Sequence, residues 1–130
     1  MDFGIQIEHR RVKVPVTIFY LDGTLDASSA AALEEQARLS YRHGSRYILL
    51  DFKNVPSATS TGLRAVLVIY KLLAAQDDFG AHSSDSGTHQ TPFLKLSSLS
   101  AELQHLFNLT GFLQNITSYD DADMALNSFA

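Results

Sequence analysis

Residues 54–73 read NVPSATSTGLRAVLVIYKLL. A strongly apolar run from Leu63 onward stands directly behind four hydroxyl side chains, Ser57, Thr59, Ser60 and Thr61, and a glycine, Gly62. Apolar residues at 63, 66, 67, 70 and 73 recur every three or four positions, which predicts a helix from about Thr61 to Gln76 with one side turned inward. The hydroxyl cluster falls at the mouth of that helix. Four roles suit such a place: a cap, a nucleophile, a phosphate cradle, or a serine that receives phosphate. The cap is the plainest. An oxygen at Ser60 can accept from an amide at N2 or N3, stabilising the helix by about 0.5–2 kcal/mol relative to alanine.

The flanking sequence sets this helix in an alternating pattern. Before it, RYILLDF (46–52) is a short, nearly continuous apolar run, as expected for a strand covered on both faces. Ahead of that, Ser28 to His43 reads as a helix capped by Ser28 or Ser29, with Arg42 and His43 set against the dipole and Gly44 as its left-handed closing residue. Asp22-Gly23 is a turn signal. Val12 to Leu21 is a strand rich in β-branched and aromatic residues, in which Pro15 suggests an edge or a bulge. Phe3, Ile5 and Ile7 alternate like a strand with one dry face.

Downstream, FLKL (93–96) reads as a strand and SAELQHLFNLTG (100–111) as a helix ending at Gly111. LQNITSY (113–119) reads as a last strand, and DDADMALNSF (120–129) as a helix with acids in its first turn. Strands alternating with helices predict one α/β domain over residues 1–130, with a mixed, mostly parallel sheet of about five strands flanked by about four helices. Residues 76–91, QDDFGAHSSDSGTHQT, break the pattern; with few apolar anchors they read as a polar loop insertion.

Composition excludes several classes of function. The chain has 130 residues, 45% hydrophobic, enough to bury a core without staples. With no cysteine it has no disulfide, thiolate metal site or cysteine nucleophile, in keeping with a cytosolic protein. A net charge of -4 argues against nucleic acid as a partner. Arg10, Arg11 and Lys13 form the one basic cluster in sequence and read as a solvated hairpin edge. The apolar run of the quoted helix is interrupted by Arg64 and Lys71, so no membrane insertion is expected, and the N-terminus carries no readable signal peptide.

Enzymatic readings find little support. Ser60 at a helix start would have amides nearby for an oxyanion, yet TSTG lacks the glycine two residues before the serine that a nucleophile elbow uses. None of the five histidines, at 9, 43, 82, 89 and 105, is placed as its base by spacing. His82, Asp85 and His89 match no recurring metal site, and Gly62 alone is a weak phosphate cradle. No cofactor or metal is expected.

The order of short motifs carries more. LDGTLD holds Gly23, Thr24, Leu25 and Asp26; LDFKNV spans Leu50 to Val55; TSTGL spans Thr59 to Leu63; and LFNLTGF contains Thr110 and Gly111. In this order and spacing the chain, from about Val12 to Leu126, resembles the STAS family, the domain shared by anti-sigma-factor antagonists and sulphate transporters. In that family a strand ends in Gly-x-(Leu/Ile)-Asp, a later strand carries a pattern like LDLSGV, and Asp-Ser-Ser-Gly-Leu opens the second helix.

The resemblance implies a non-enzymatic bacterial cytoplasmic protein that binds an anti-sigma-factor serine kinase. It implies that Ser60 is the residue phosphorylated by that partner, with phosphorylation breaking the complex. Asp26 is implied to lie near the serine, with Thr59, Thr61 and Gly62 completing the partner-facing, phosphate-adjacent rim. Thr59 stands where the family carries an acid, leaving Thr59 and Thr61 as alternative acceptors. The same resemblance allows a second reading, a STAS scaffold without phospho-control, as in stressosome or transporter-associated modules. The oligomeric state is open at this level.

Overall fold

A computed structural model of the chain describes residues 3–74, 91–111 and 116–129. Among the described residues five strands and four helices follow one another as β1 (Gly4–Arg11), β2 (Pro15–Asp22), α1 (Ala27–Arg42), β3 (Ile48–Asn54), α2 (Ser60–Ala74), β4 (Leu94–Ser97), α3 (Ala101–Thr110), β5 (Thr117–Tyr119) and α4 (Ala122–Ser128). The strands lie side by side in chain order. β1 and β2 form an antiparallel hairpin; β2–β3, β3–β4 and β4–β5 are parallel. This is the expected mixed, mostly parallel α/β sheet.

Side-chain alternation along the strands divides the interior in two. Phe19, Leu21, Ile48, Leu50, Phe52, Leu94 and Leu96 face a main core closed by Leu33 and Ala37 of α1, Leu63, Val66, Ile69 and Leu73 of α2, and Leu103 and Phe107 of α3. Val16, Ile18 and Leu49 point the other way, onto Ala125, Leu126 and Phe129 at the end of the chain. β3 therefore has dry residues on both faces, which is why its sequence is apolar without alternation. At about 1.5–3 kcal/mol for each fully buried large apolar side chain, α2 with four of them is a principal anchor of the fold.

At α1 the amino-terminal cap departs from expectation. Asp26, not Ser28 or Ser29, caps α1; Ser29 completes a capping box by accepting from the Asp26 amide. An aspartate one residue before the first helical position intercepts the free amides before the serines can. The C-terminal reading holds: His43 is the cap and Gly44 follows with φ 105°. Gly111 closes α3 in the left-handed region, as read.

Pro15 is neither on an edge nor at a bulge. It is the first residue of β2, which lies between β1 and β3, so its missing N–H costs no ladder bond inside the strand. The irregularity lies further on, between Tyr20 and Asp22, where β3 carries one extra residue. Of the polar segment expected as a loop insertion, all but Thr91 lies outside the described residues, as do His82, Asp85 and His89 and the expected last residues of α2.

Candidate functional site

β2 and β3 run parallel, so the turns that leave them meet at one end of the sheet, and each leads into a helix. These two turns are joined by backbone. The Leu25 amide donates to the Ser57 carbonyl at 3.1 Å, the Thr59 amide donates to the Leu25 carbonyl at 3.0 Å, and Leu25 and Ala58 form an isolated parallel bridge. Leu25 itself is fully buried, an apolar plug under the junction. The amino termini of α1 and α2 are thus held side by side on one rim.

Each terminus has its own cap. At α1, Asp26 Oδ1 accepts from the Ser28 and Ser29 amides, both at 3.1 Å. The buried Ser29 hydroxyl lies 2.6 Å from the Thr24 carbonyl and 3.0 Å from Asp26 Oδ1, and shares its one proton between these two acceptors. The Ser29 amide and hydroxyl, followed by the Ser28 amide, hold the Asp26 carboxyl below its ordinary range, so it is anionic at neutral pH. At α2, Thr59 is the cap. Its Oγ1 accepts from the Gly62 amide at 2.9 Å, and its carbonyl takes the first helical bond, from Leu63.

This reverses the plain reading of Ser60. It is the first residue inside the helix, exposed, and its hydroxyl makes no hydrogen bond among the described residues. Thr61 is exposed beside it, and the amides of both belong to the first turn, which has no intrahelical acceptor. Thr59 thus keeps an oxygen cap in the place where the motif elsewhere carries a carboxylate, changing charge without removing the cap.

Gly62 is buried, and the reason is steric. A Cβ there would overlap the Leu25 carbonyl group and lie 2.9 Å from Asp26 Cα. The glycine lets α2 approach the β2–α1 turn backbone directly, and so fixes how closely Ser60 and Asp26 share the rim. A hollow of about 460 Å³ opens on the α1 side, between Phe3, Gly23, Thr24, Asp26, Ser28 and Pro56. Ser60 does not line it.

Two features of this end were not assigned from sequence. Ser29 read only as a candidate cap, whereas it ties Asp26 to Thr24. Asp51, within the LDFKNV pattern, is buried on the α4 side of β3 and accepts from Ser97 of β4 at 2.8 Å. A lone acid in an apolar strand was the available signal. Its partner is 46 residues away in sequence and reaches it only through strand pairing. Thr110 and Gly111 lie at the end of α3, away from the rim, where Gly111 is a helix cap. Among the described residues no cluster of acids and histidines suits a metal ion, and no helix is long and apolar enough to cross a membrane.

Comparison with known proteins agrees with this architecture. The anti-sigma factor antagonist from Mycobacterium paratuberculosis superposes with a TM-score of 0.70 at 18% identity, covering 97% of this chain and 94% of that one. The Bacillus cell fate determinant SpoIIAA in its phosphorylated form gives 0.60 at 15% identity, covering 94% and 97%. A sulfate transporter family protein from Wolinella succinogenes gives 0.63 at 22% identity, covering 85% and 81%. At such identities these likenesses speak to the fold. None of the curated proteins matches the chain in sequence. The family model of the STAS domain matches residues 8–77, from β1 through α2, which includes the whole of the two-turn rim and more than half of the sequence. The chain belongs to the STAS domain family.

Proposed function

We propose that this STAS domain is an anti-sigma-factor antagonist, a cytoplasmic, non-enzymatic protein that binds an anti-sigma-factor serine kinase and is switched by phosphorylation at Ser60. The observation that carries the reading is the state of Ser60: an exposed hydroxyl at the first position of α2, with no hydrogen bond among the described residues, while Thr59 does the capping. A hydroxyl that is not needed for the fold is available for chemistry. Family position adds the partner class, and the solved antagonists of the same fold, one of them in a phosphorylated form, support it.

The physics of the switch follows from the rim. Phosphate brings roughly −1.5 to −2 charge at neutral pH. The first-turn amides and the α2 dipole favour an anion there, so the fold tolerates the group. A partner surface covering Ser60 would instead meet a hydrated dianion with the Asp26 carboxylate on the same rim. Each 1.4 kcal/mol of lost affinity is about tenfold in Kd, so a modest penalty separates bound from free. Thr59 and Thr61 form the exposed border of the partner surface, and Gly62, buried beside them, is adjacent to the phosphate position. In this reading residues 1–130 are one domain, and residues 76–91 are an insertion between α2 and β4.

The test is incubation with the cognate kinase and ATP followed by peptide mass mapping. Phosphate on Ser60 is the expected result; a kinase active on a control but leaving residues 57–61 unmodified rejects the switch. A second reading, a STAS scaffold without phospho-control, draws on Thr59 in place of the motif's acid and on the transporter-family neighbour. A Ser60→Asp variant that pulls down the partner as well as the wild type would favour it.

A further inference from the structure

At the opposite end of the sheet from Ser60, the first residues of β2 and the approach to β3 floor a hollow of about 470 Å³. Two separate pieces of chain supply its basic side chains: His9, Arg10 and Arg11 from the end of β1, and His43 and Arg46 from the turn that leaves α1. Pro15, Val16 and Tyr47 give it an apolar wall. In sequence Arg10, Arg11 and Lys13 read as a solvated edge; only the fold brings His43 and Arg46 to them.

A lining with three arginines suits an anion. The carboxyl end of a helix would ordinarily repel one. Here the carbonyls of Leu39, Ser40 and Tyr41 are covered. The His43 and Gly44 amides close onto Leu39, Ser40 and Tyr41, the Ser45 amide closes onto Ser40, and Arg46 Nη1 donates to the carbonyls of Tyr41 at 2.7 Å and Ser45 at 3.0 Å. Stacked 3.8 Å over the Tyr41 ring, the Arg46 guanidinium is a fixed positive charge. The buried Thr17 hydroxyl lies 2.7 Å from Ser45 Oγ and 3.5 Å from His9 Nδ1, tying the two pieces of chain together at the floor. Glu8 pairs with Arg10 at 3.3 Å, an exposed contact that solvent screens and a ligand can displace. Arg11 has no carboxylate in ion-pair range among the described residues. All this occurs in a chain of net charge -4.

We propose that this hollow binds a phosphate ester, with the phosphate against Arg10, Arg11 and His43 and the organic body against Pro15, Val16 and Tyr47. More than one guanidinium on the lining suits a dianion better than a single carboxylate. A concave site with an apolar wall suits a compact organic body. A free metabolite and a lipid headgroup share this chemistry. The site is independent of the reading of Ser60.

The experiment is an amide NMR titration of the full chain with phenyl phosphate and, separately, inorganic phosphate, with sedimentation of phosphatidate-containing vesicles as a third arm. Saturable phenyl phosphate binding is expected, with shifts centred on Arg11, Thr17, His43, Ser45 and Tyr47 and weaker binding of inorganic phosphate. The exposed pair Arg10→Gln/Arg11→Gln should raise Kd by about tenfold or more, and Arg64→Gln, at the far end, should leave it unchanged. Vesicle binding abolished by the same pair would support the site with a lipid headgroup as the source; binding of phenyl phosphate alone would support a free ester. Shifts that do not saturate, that scatter over the surface, or that survive the double substitution would overturn the proposal.

Discussion

Gly62 lies directly beneath the carbonyl of Leu25, so close that a methyl group has no room, and this contact seats the amino terminus of α2 against the turn that starts α1. What the residue lacks is what lets the two helix mouths share a rim.

Gly62→Ala should therefore destabilise the fold. Alanine is the better helix former by about 0.8–1.0 kcal/mol, but its Cβ would meet backbone, which cannot rotate away. Overpacking of this kind typically costs about 1–3 kcal/mol, so the net effect is a loss. Urea denaturation measures it; a midpoint at or above that of the wild type would show that the approach is not tight.

Thr59 and Ser60 are neighbours with opposite expected sensitivities. Thr59→Ala removes the bond to the Gly62 amide and should cost about 0.5–2 kcal/mol, whereas Thr59→Asp should hold stability by capping in its place. Ser60→Ala removes no bond within the described structure and should stay within about 0.5 kcal/mol. Ser60→Asp should be neutral to stabilising, since an acid in the first turn is worth about 0.3–1 kcal/mol and the exposed Arg64 stands four residues on. Thermal melts of the four variants would expose the reverse pattern if Ser60 were the cap.

Asp26 sets an acid limit on stability. The Ser29 amide and hydroxyl and the Ser28 amide bond its charged form, so its folded pKa lies below the unfolded value. That contribution is present above the unfolded pKa, near 3.9, and is lost as pH falls through the folded one. Asp26→Asn, which still caps, should flatten the pH dependence of the melting temperature below about pH 4 relative to the wild type. Equal slopes in the two proteins would rule out this group as the cause.

Tyr20 sets a limit on the alkaline side. Burial first, and then its hydrogen bond to Glu8 at 2.7 Å, push its hydroxyl up to about 12. The group is bound as the neutral phenol, so its contribution is complete below the unfolded pKa of about 10 and falls away as pH rises from there toward 12. An ultraviolet titration should show a tyrosine step near pH 12, and Tyr20→Phe should remove that step. Identical titration curves at high pH for the wild type and Tyr20→Phe, apart from the loss of amplitude near pH 10, would contradict the shift at Tyr20.

Much of this molecule was legible in its sequence because periodicity is local. The three-to-four rhythm of α2, the unbroken apolar run of β3, and glycines after the ends of α1 and α3 each report on a few consecutive residues and the covalent geometry they obey. Family membership was legible too, through short motifs in a fixed order across β2, β3 and the start of α2.

Which hydroxyl does what was decided elsewhere. Ser57, Thr59, Ser60 and Thr61 are chemically alike, and only the register of the first helical turn makes Thr59 the cap and leaves Ser60 open. The reason for Gly62 lies in Leu25, a residue on another strand's turn, and Asp51 finds Ser97 through the pairing of β3 with β4. The side chains of His43 and Arg46 join Arg10 and Arg11 around one hollow only because β1 and the turn out of α1 end at one end of the sheet. Sequence specifies what a residue can do within a turn of helix or strand; partners brought from far along the chain by sheet packing determine what it does do.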